Sequence, residues 1–145
     1  MNGAAQYLQS IYLLSRAADE PAATGAIADM VGVSPASANE MVGKLEEAGL
    51  ATHEKYKGVT LTDEGIDRAR DALETYCIVE RFLATALEVA EYRAEARQMQ
   101  SVVDEVVADR LDLIVDRRAE CPDCFRVEED RCAHLVGPGD GDEPT

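Results

Sequence analysis

The stretch that decides the fold is residues 33–65, which read VSPASANEMVGKLEEAGLATHEKYKGVTLTDEG. Ser34 followed by Pro35 is typical of a helix start, with a serine cap and a proline at the first helical position. Gly49 suits the C-cap that ends the helix. The sequence therefore predicts a helix over residues 36–48. Its inner stripe consists of apolar residues at helical spacing, namely Met41, Val42 and Leu45.

The second half of this stretch predicts a hairpin. Residues 50–54 and 58–61 are short extended runs, and the basic turn from Lys55 to Gly58 joins them. Two such runs joined by a short Gly-containing turn are typical of paired antiparallel strands. The hairpin is interpreted as a wing. Residues 62–65 then cap the helix that follows.

Two more helices are predicted before this stretch. Apolar residues at helical spacing indicate an opening helix over residues 3–17. Thr24 is interpreted as the N-cap of a short helix that reaches Val31, where Gly32 stops it. The short turn before Ser34 gives the sharp angle of a helix-turn-helix. The order of elements therefore predicts an N-terminal winged helix-turn-helix.

A helix-turn-helix of this kind would read double-stranded DNA. The N-terminal end of its second helix enters the major groove, where small polar side chains let the backbone approach. Asn39 can bond phosphate or base edges, and Glu40 can accept from cytosine N4. The wing lysines suit the flanking phosphates, and Tyr56 could pack against sugar. The predicted DNA contacts are Ser34, Ala36, Ser37, Asn39, Glu40, Lys44, Lys55 and Lys57.

The second half of the chain predicts two long amphipathic helices. The first runs from the cap at residues 62–65 to about Ala90, and the second covers about 94–118 with a wide apolar face. Because little else is available for them to pack on, they suggest a homodimer interface; the alternative is a helical cap folded back on its own chain. The fold class is mainly α. The predicted domains are 1–63 (winged helix), 64–118 (dimerisation), 119–136 (Cys/His segment) and 137–145 (disordered acidic tail).

The net charge of −15 is unusual for a protein that binds DNA, since phosphates are neutralised by Lys and Arg. The charge is uneven, however: residues 1–62 hold seven acids and four bases, and the rest holds 22 acids and ten bases. An acidic, lysine-poor composition is typical of a halophilic cytosol. At molar salt the Debye length is about 3 Å, so distant acids hardly repel DNA.

Other classes of protein are disfavoured by the sequence. It contains no run of eighteen apolar residues, so no membrane span is expected. Its N-terminus lacks the basic region and cleavage site of a signal peptide, so a cytoplasmic location is expected. No Ser/His/Asp set, phosphate loop or carboxylate pair indicates an enzyme or a small-molecule substrate.

Three stretches resemble the iron- and manganese-dependent repressors of the diphtheria-toxin-repressor type: AQYLQSIYLL at 5–14, the segment from Ala26 to Gly65, and ETYCIVERFLATAL at 74–87. The resemblance runs from about Gln6 to Arg118. It implies a winged-helix DNA reader, a helical dimerisation domain, and metal ions that order the DNA-binding dimer. The expected form is the short one, because the residues after Arg118 are too few for the barrel domain that some members add.

The resemblance also implies where iron or manganese would bind, and there the chain departs from the family pattern. Tyr76 stands where a histidine is expected, Cys77 lies one residue from that position, and Arg97 and Ser101 replace other ligands. Arginine cannot ligate a cation, and glutamine and serine are poor ligands for these metals. The usual metal sites are therefore predicted to be absent or degraded. The family-type metal positions are Gln6, Gln9, Cys77, Glu80 and Gln100.

A separate cluster of metal-binding residue types lies near the C-terminus. Cys121 and Cys124 form a Cys-x-x-Cys turn, and Cys132 and His134 follow closely. Three thiolates and an imidazole can complete a tetrahedral site for zinc or another transition metal. Three alternatives to such a structural site remain open for these cysteines. They are a sensing site for a transition metal or an iron–sulfur centre, a thiol–disulfide switch, and no ligation at all.

The sequence as a whole predicts a homodimeric, metal-responsive transcriptional regulator of metal-homeostasis genes that binds promoter DNA. One alternative is a regulator that responds to redox state, zinc or an iron–sulfur centre through its C-terminal cysteines. Another, favoured by the net charge alone, is a dimerisation module that binds no DNA.

Overall fold

The computed structural model describes residues 3–54, 56–100 and 102–115, and the backbone of residues 125–126 and 131–132. The chain divides into two compact units, one spanning Asn2–Ala72 and the other beginning at Leu73. Within these residues the helices are α1 (Ala4–Ala18), α2 (Thr24–Val31), α3 (Pro35–Glu47), α4 (Asp63–Arg81), a π-helical turn (Phe82–Ala86), α5 (Tyr92–Gln100) and α6 (Glu105–Asp112). The strands are β1 (Ala51–Glu54), β2 (Gly58–Leu61), β3 (Phe125–Arg126) and β4 (Arg131–Cys132).

The first unit is a winged helix-turn-helix, as the sequence predicts. Helices α1, α2 and α3 pack around an aliphatic core to which the hairpin contributes. Burying such side chains stabilises the fold by about 1.5–3 kcal/mol for each large one. The members of this core that are at most 1% exposed are Ile11, Ile27, Ala28, Ala38, Val42, Val59 and Ala69.

The wing is an antiparallel pair in which Ala51 lies opposite Leu61 and Glu54 opposite Gly58. Strand β2 is also bound by a residue outside the hairpin, because Ala22 exchanges two backbone hydrogen bonds with Val59 at 2.9 and 2.8 Å. At Gly58 a Cβ would lie 2.5 Å from the carbonyl oxygen of Ala22. The close approach of the loop to the wing therefore requires glycine there.

Two predicted helix ends differ by one residue in the structure. Thr24 is the first residue of α2 and Ala23 occupies the N-cap, so the prediction of Thr24 as a cap was wrong. Ala48 is the C-cap of α3, and Gly49 follows it with φ +78°. Gly49 therefore has the left-handed backbone that glycine favours, but it lies one position after the C-cap.

The second unit departs from the predicted pair of long helices. Helix α4 ends at Arg81 and continues only as the π-helical turn, so it stops before Ala90. The predicted helix over 94–118 is two helices, α5 and α6. The break has a physical cause: Asp104 has extended backbone and its side chain accepts from the Val107 N–H at 2.9 Å, which caps a new helix. Residues 116–118 of that prediction lie outside the described residues.

Over the described part of the chain, none of the helices combines the length and the apolar character that crossing a membrane requires.

Candidate nucleic-acid interface and metal positions

The turn between α2 and α3 is fixed by backbone hydrogen bonds and a side-chain cap. The N–H groups of Gly32 and Val33 both donate to the Ala28 carbonyl, at 2.8 and 3.0 Å. The Ser34 hydroxyl then accepts from the Ser37 N–H at 3.1 Å and begins α3. Because glycine takes φ +85° at position 32, the chain reverses there without strain. The turn thus sets the direction of α3.

Helix α3 presents a polar face to solvent. Its inward side buries Ala38, Val42 and Leu45, which are at most 2% exposed. The first turn of the helix contains no acidic residue, so no carboxylate of that turn competes for its N-terminal N–H groups. All six residues predicted on this helix to contact DNA are exposed, namely Ser34, Ala36, Ser37, Asn39, Glu40 and Lys44.

The tip of the wing carries an exposed lysine and an exposed aromatic ring. Tyr56 is 94% exposed and holds a left-handed backbone with φ +67°. Lys57 is exposed, and its N–H closes the turn by donating to the Glu54 carbonyl at 2.9 Å. Lys55, the other predicted wing contact, lies outside the described residues.

The wing is attached to α3 by a contact that the sequence pattern did not reveal. The backbone N–H of His53 donates to Glu46 Oε2 at 2.9 Å, which ties β1 to the last turn of α3. Since the partners are seven residues apart and on different elements, no periodicity marks them. The hydrogen bond fixes the position of the wing relative to the helix.

Two arginines of the first unit are held around one tyrosine. Arg70 Nη1 donates to the Tyr12 hydroxyl at 2.7 Å, and Arg16 Nη1 lies 3.4 Å from the same oxygen. Both guanidinium groups also lie over the Tyr12 ring, at 6.0 and 5.3 Å from its centroid. Arg70 thereby connects α4 to α1, whereas Arg16 contacts a tyrosine of its own helix, so both cations serve the unit's packing.

The positions that the family resemblance assigns to metal fall in both units. In the first unit, Gln6 and Gln9 are half-buried on α1. In the second unit Cys77 is 3%, Glu80 0% and Gln100 6% exposed. Arg97 is exposed, and Ser101 lies outside the described residues.

The donor chemistry at these positions does not fit iron or manganese. Tyr76, where the resemblance expects a histidine, is 1% exposed and donates its hydroxyl to Glu80 Oε2 at 3.3 Å. Glu80 is the single carboxylate among these positions, while such metals take several anionic or imidazole donors. Across residues 3–54, 56–100 and 102–115, no three His, Cys, Asp or Glu residues come together as a metal site would require.

Cys121, Cys124 and His134 lie outside the described residues. Only the backbone of Cys132 is described, in β4, where it pairs with Phe125 of β3 in an antiparallel register.

The second unit exposes an apolar surface around α6. Large apolar side chains that are exposed near one another often mark a surface used for interaction. The residues are Val102 (78% exposed), Val106 (62%), Val107 (45%), Leu113 (80%) and Ile114 (67%).

Two models of one protein family match the chain. The model described as "Iron dependent repressor, N-terminal DNA binding domain" matches residues 1–59. The model described as "Iron dependent repressor, metal binding and dimerisation domain" matches residues 62–125. The two matches are consecutive and together take in both units.

Individual relatives agree with this match. An uncharacterized HTH-type transcriptional regulator of Methanocaldococcus jannaschii is 28% identical over 113 residues, which are 77% of this chain and 90% of that protein. The HTH-type transcriptional regulator MntR of Lysinibacillus sphaericus is 35% identical over 77 residues, 53% of this chain and 55% of that protein. The solved structure of the manganese regulator SloR superposes with a TM-score of 0.69 at 31% identity, covering 78% of this chain and 53% of that one. The chain spans about half the length of the last two relatives.

Proposed function

Because the chain belongs to the iron-dependent repressor family, we propose that it is a DNA-binding transcriptional repressor, acts as a homodimer, and controls metal-homeostasis genes in response to a transition metal. The observation that carries the proposal is the polar face of α3, which lies directly after the turn that fixes the helix and beside the wing. No enzymatic activity is proposed.

In the DNA complex, α3 enters the major groove by its N-terminal end. Ser37 and Asn39 are short enough to let the helix backbone approach, and they bond phosphates or base edges. Glu40 accepts from cytosine N4, and Lys44 reaches the phosphates. Lys57, with Lys55 beside it in the sequence, neutralises phosphates that flank the groove. Tyr56 packs against sugar at the same place.

The exposed apolar surface of the second unit supports the homodimer. Residues such as Leu113 and Ile114, which are 80% and 67% exposed, lose contact with water when a second copy covers them. A two-fold dimer then places two copies of α3 in successive major grooves of a palindromic site.

The proposed location of the metal site is the cluster of C-terminal cysteines. Cys121, Cys124, Cys132 and His134 are the proposed ligands of zinc or another transition metal, with an iron–sulfur centre or a thiol switch as the competing uses. Their spacing supports a tetrahedral site, and the β3–β4 pairing brings the backbone of Cys132 beside Phe125, the residue that follows Cys124 in the chain.

The metal assignment is tested on the purified protein. Metal analysis with thiol counting should find one metal per chain and no reactive C-terminal thiol, because ligating thiolates are protected. Changing Cys121 and Cys124 to Ser should remove the metal and the response of DNA binding to it, whereas Cys77→Ser, at a buried position on α4, should leave both. A metal response that survives the double change refutes the assignment.

The composition supports a proposed setting, the cytoplasm of a cell at molar salt. The three lysines, at positions 44, 55 and 57, all lie in the winged helix, and most of the acidic excess lies after residue 62. At such salt the Debye length is about 3 Å, so the local lysines determine contact with DNA.

The proposed DNA binding is tested by titrating the protein into two fluorescent DNA duplexes of equal length at high salt. One duplex carries the DNA upstream of the gene that encodes this chain, and the other carries the same bases in shuffled order. The expected result is tighter binding to the upstream duplex, with affinity falling as salt rises because counterions are released. Equal affinity for the two duplexes would reject sequence-specific binding. The absence of any salt-dependent binding would reject DNA as the partner.

A further inference from the structure

Polar side chains are buried in the second unit where the family resemblance would place metal ligands. Tyr76 and Glu80 lie four residues apart on α4, which places them on one face of the helix. Tyr76 is 1% and Glu80 0% exposed, and the Tyr76 hydroxyl donates to Glu80 Oε2 at 3.3 Å. Glu80 is therefore the acceptor of a hydrogen bond from its own helix.

The other buried polar residues add little that a divalent cation could use. Gln100 is 6% exposed and offers a neutral amide oxygen, and Tyr76 uses its hydroxyl as a proton donor. Cys77, 3% exposed, is a soft ligand that suits zinc or copper better than manganese. A Mn²⁺ or Fe²⁺ ion beside one carboxylate would keep uncompensated positive charge where water is excluded, which is costly.

We propose that this buried group, consisting of Tyr76, Cys77, Glu80 and Gln100, takes neither manganese nor iron. The Tyr76–Glu80 hydrogen bond engages one oxygen of the single carboxylate, Oε2, so the group offers an ion at most the other carboxylate oxygen, whereas Mn²⁺ or Fe²⁺ takes several anionic or imidazole donors. The group is a permanent part of the second unit's packing, and control by metal lies outside it. Only this last clause rests on the proposed function; the absence of Mn²⁺ binding stands without it.

The test uses a variant in which Cys121, Cys124 and Cys132 are all Ser, so that the buried group remains as the site to be probed. Mn²⁺ is titrated and followed by electron paramagnetic resonance and by calorimetry. The expected result is no saturable uptake up to about 1 mM. Uptake of one Mn²⁺ per chain at micromolar concentration, lost when Glu80→Gln is added, would overturn the proposal.

A second measurement serves if the triple change prevents folding. Wild-type protein saturated with Zn²⁺ is melted in the presence and in the absence of Mn²⁺. The melting temperature should be the same in both, since a ligand raises it only by binding the folded state. A rise that Glu80→Gln abolishes would overturn the proposal. Tyr76→Phe should lower the melting temperature by the same amount with and without Mn²⁺, because it removes a hydrogen bond and no ligand.

These outcomes are independent of the DNA experiment. If the protein fails to bind DNA but takes up no Mn²⁺, the proposed function fails and this inference stands. If it binds its upstream duplex and takes up Mn²⁺ through Glu80, the inference fails and the proposed function stands.

Discussion

Individual residues on α3 divide into those that hold the helix in place and those that are exposed beside it. Ala38 is fully buried, and its neighbours Ser37 and Asn39 are exposed. Ser34 has a double part, because its hydroxyl caps the helix and also lies on the exposed face. A change at Ser34 would therefore alter stability and DNA contact together, whereas Asn39 isolates the contact.

Asn39→Ala should weaken binding to the specific site by about 1–3 kcal/mol, which is the usual loss for one good side-chain contact with a base edge. Binding to shuffled DNA should change far less. Fluorescence anisotropy on both duplexes measures the difference. Glu47→Ala is the matched control, since Glu47 is exposed at the other end of α3. An equal loss on both duplexes would mean that Asn39 contacts phosphate, and no loss on either would remove it from the interface.

At the level of elements, the base of the wing depends on one glycine. Thr62 Oγ1 donates to the Gly49 carbonyl at 2.8 Å and accepts from the Gly65 N–H at 3.1 Å. At Gly65 a Cβ would clash with the carbonyl oxygen of Leu50. The start of α4 therefore lies against the backbone that leads into β1, and a side chain there must displace it.

Gly65→Ala should destabilise the protein by about 1–3 kcal/mol, the usual cost of forcing extra atoms into a packed site. Gly43→Ala is the matched control: a Cβ there meets nothing within 4 Å, and alanine favours the middle of a helix. Denaturant unfolding should show a lower midpoint for the first change and an equal or higher midpoint for the second. Equal midpoints for both variants would contradict the close approach at Gly65.

The elements also show which parts of the fold could be predicted from the sequence. Ser34, Pro35 and Gly32 act locally, through caps and turns, and so the helix-turn-helix was predictable from them. The break between α5 and α6 was missed because the apolar pattern continues through Val102 and Val103, while Asp104 caps a helix only in one backbone conformation. The Glu46–His53 contact joins separate elements, and no local pattern encodes it.

The candidate site was predictable to a similar extent. The exposed face of α3 followed from helical periodicity, because Met41, Val42 and Leu45 were assigned to the inner side and the small polar residues opposite them had to point outward. The resemblance placed Glu80 among possible ligands, but the burial of Tyr76 against it depends on packing in the second unit. The C-terminal cysteines remain a prediction from spacing.

At the scale of the whole molecule, the acidic net charge opposes the association of two copies, whereas the exposed apolar surface of the second unit favours it. A net charge of −15 makes copies repel each other at low salt. Screening at high salt reduces this repulsion, and the exposed apolar surface around α6 then favours association. Dimerisation is therefore expected to strengthen as salt rises, in the direction opposite to the salt effect on phosphate contacts.

Ile114→Glu should convert the dimer to a monomer, because it places a charge on a surface from which water is removed. Sedimentation equilibrium at high salt measures the mass directly. Ala94→Glu, at an exposed position on α5, is the control and should remain dimeric. A dimer that survives changes at both Ile114 and Leu113 would place the interface elsewhere.

The central claim is that two copies of α3 read DNA in successive major grooves. The most direct measurement is selection of bound duplexes from a random DNA library at high salt, followed by sequencing. We expect convergence on an inverted repeat whose half-sites are about 10 base pairs apart or a multiple of that, and loss of the half-site preference in Asn39→Ala. A bound pool that stays as random as the starting library would contradict it.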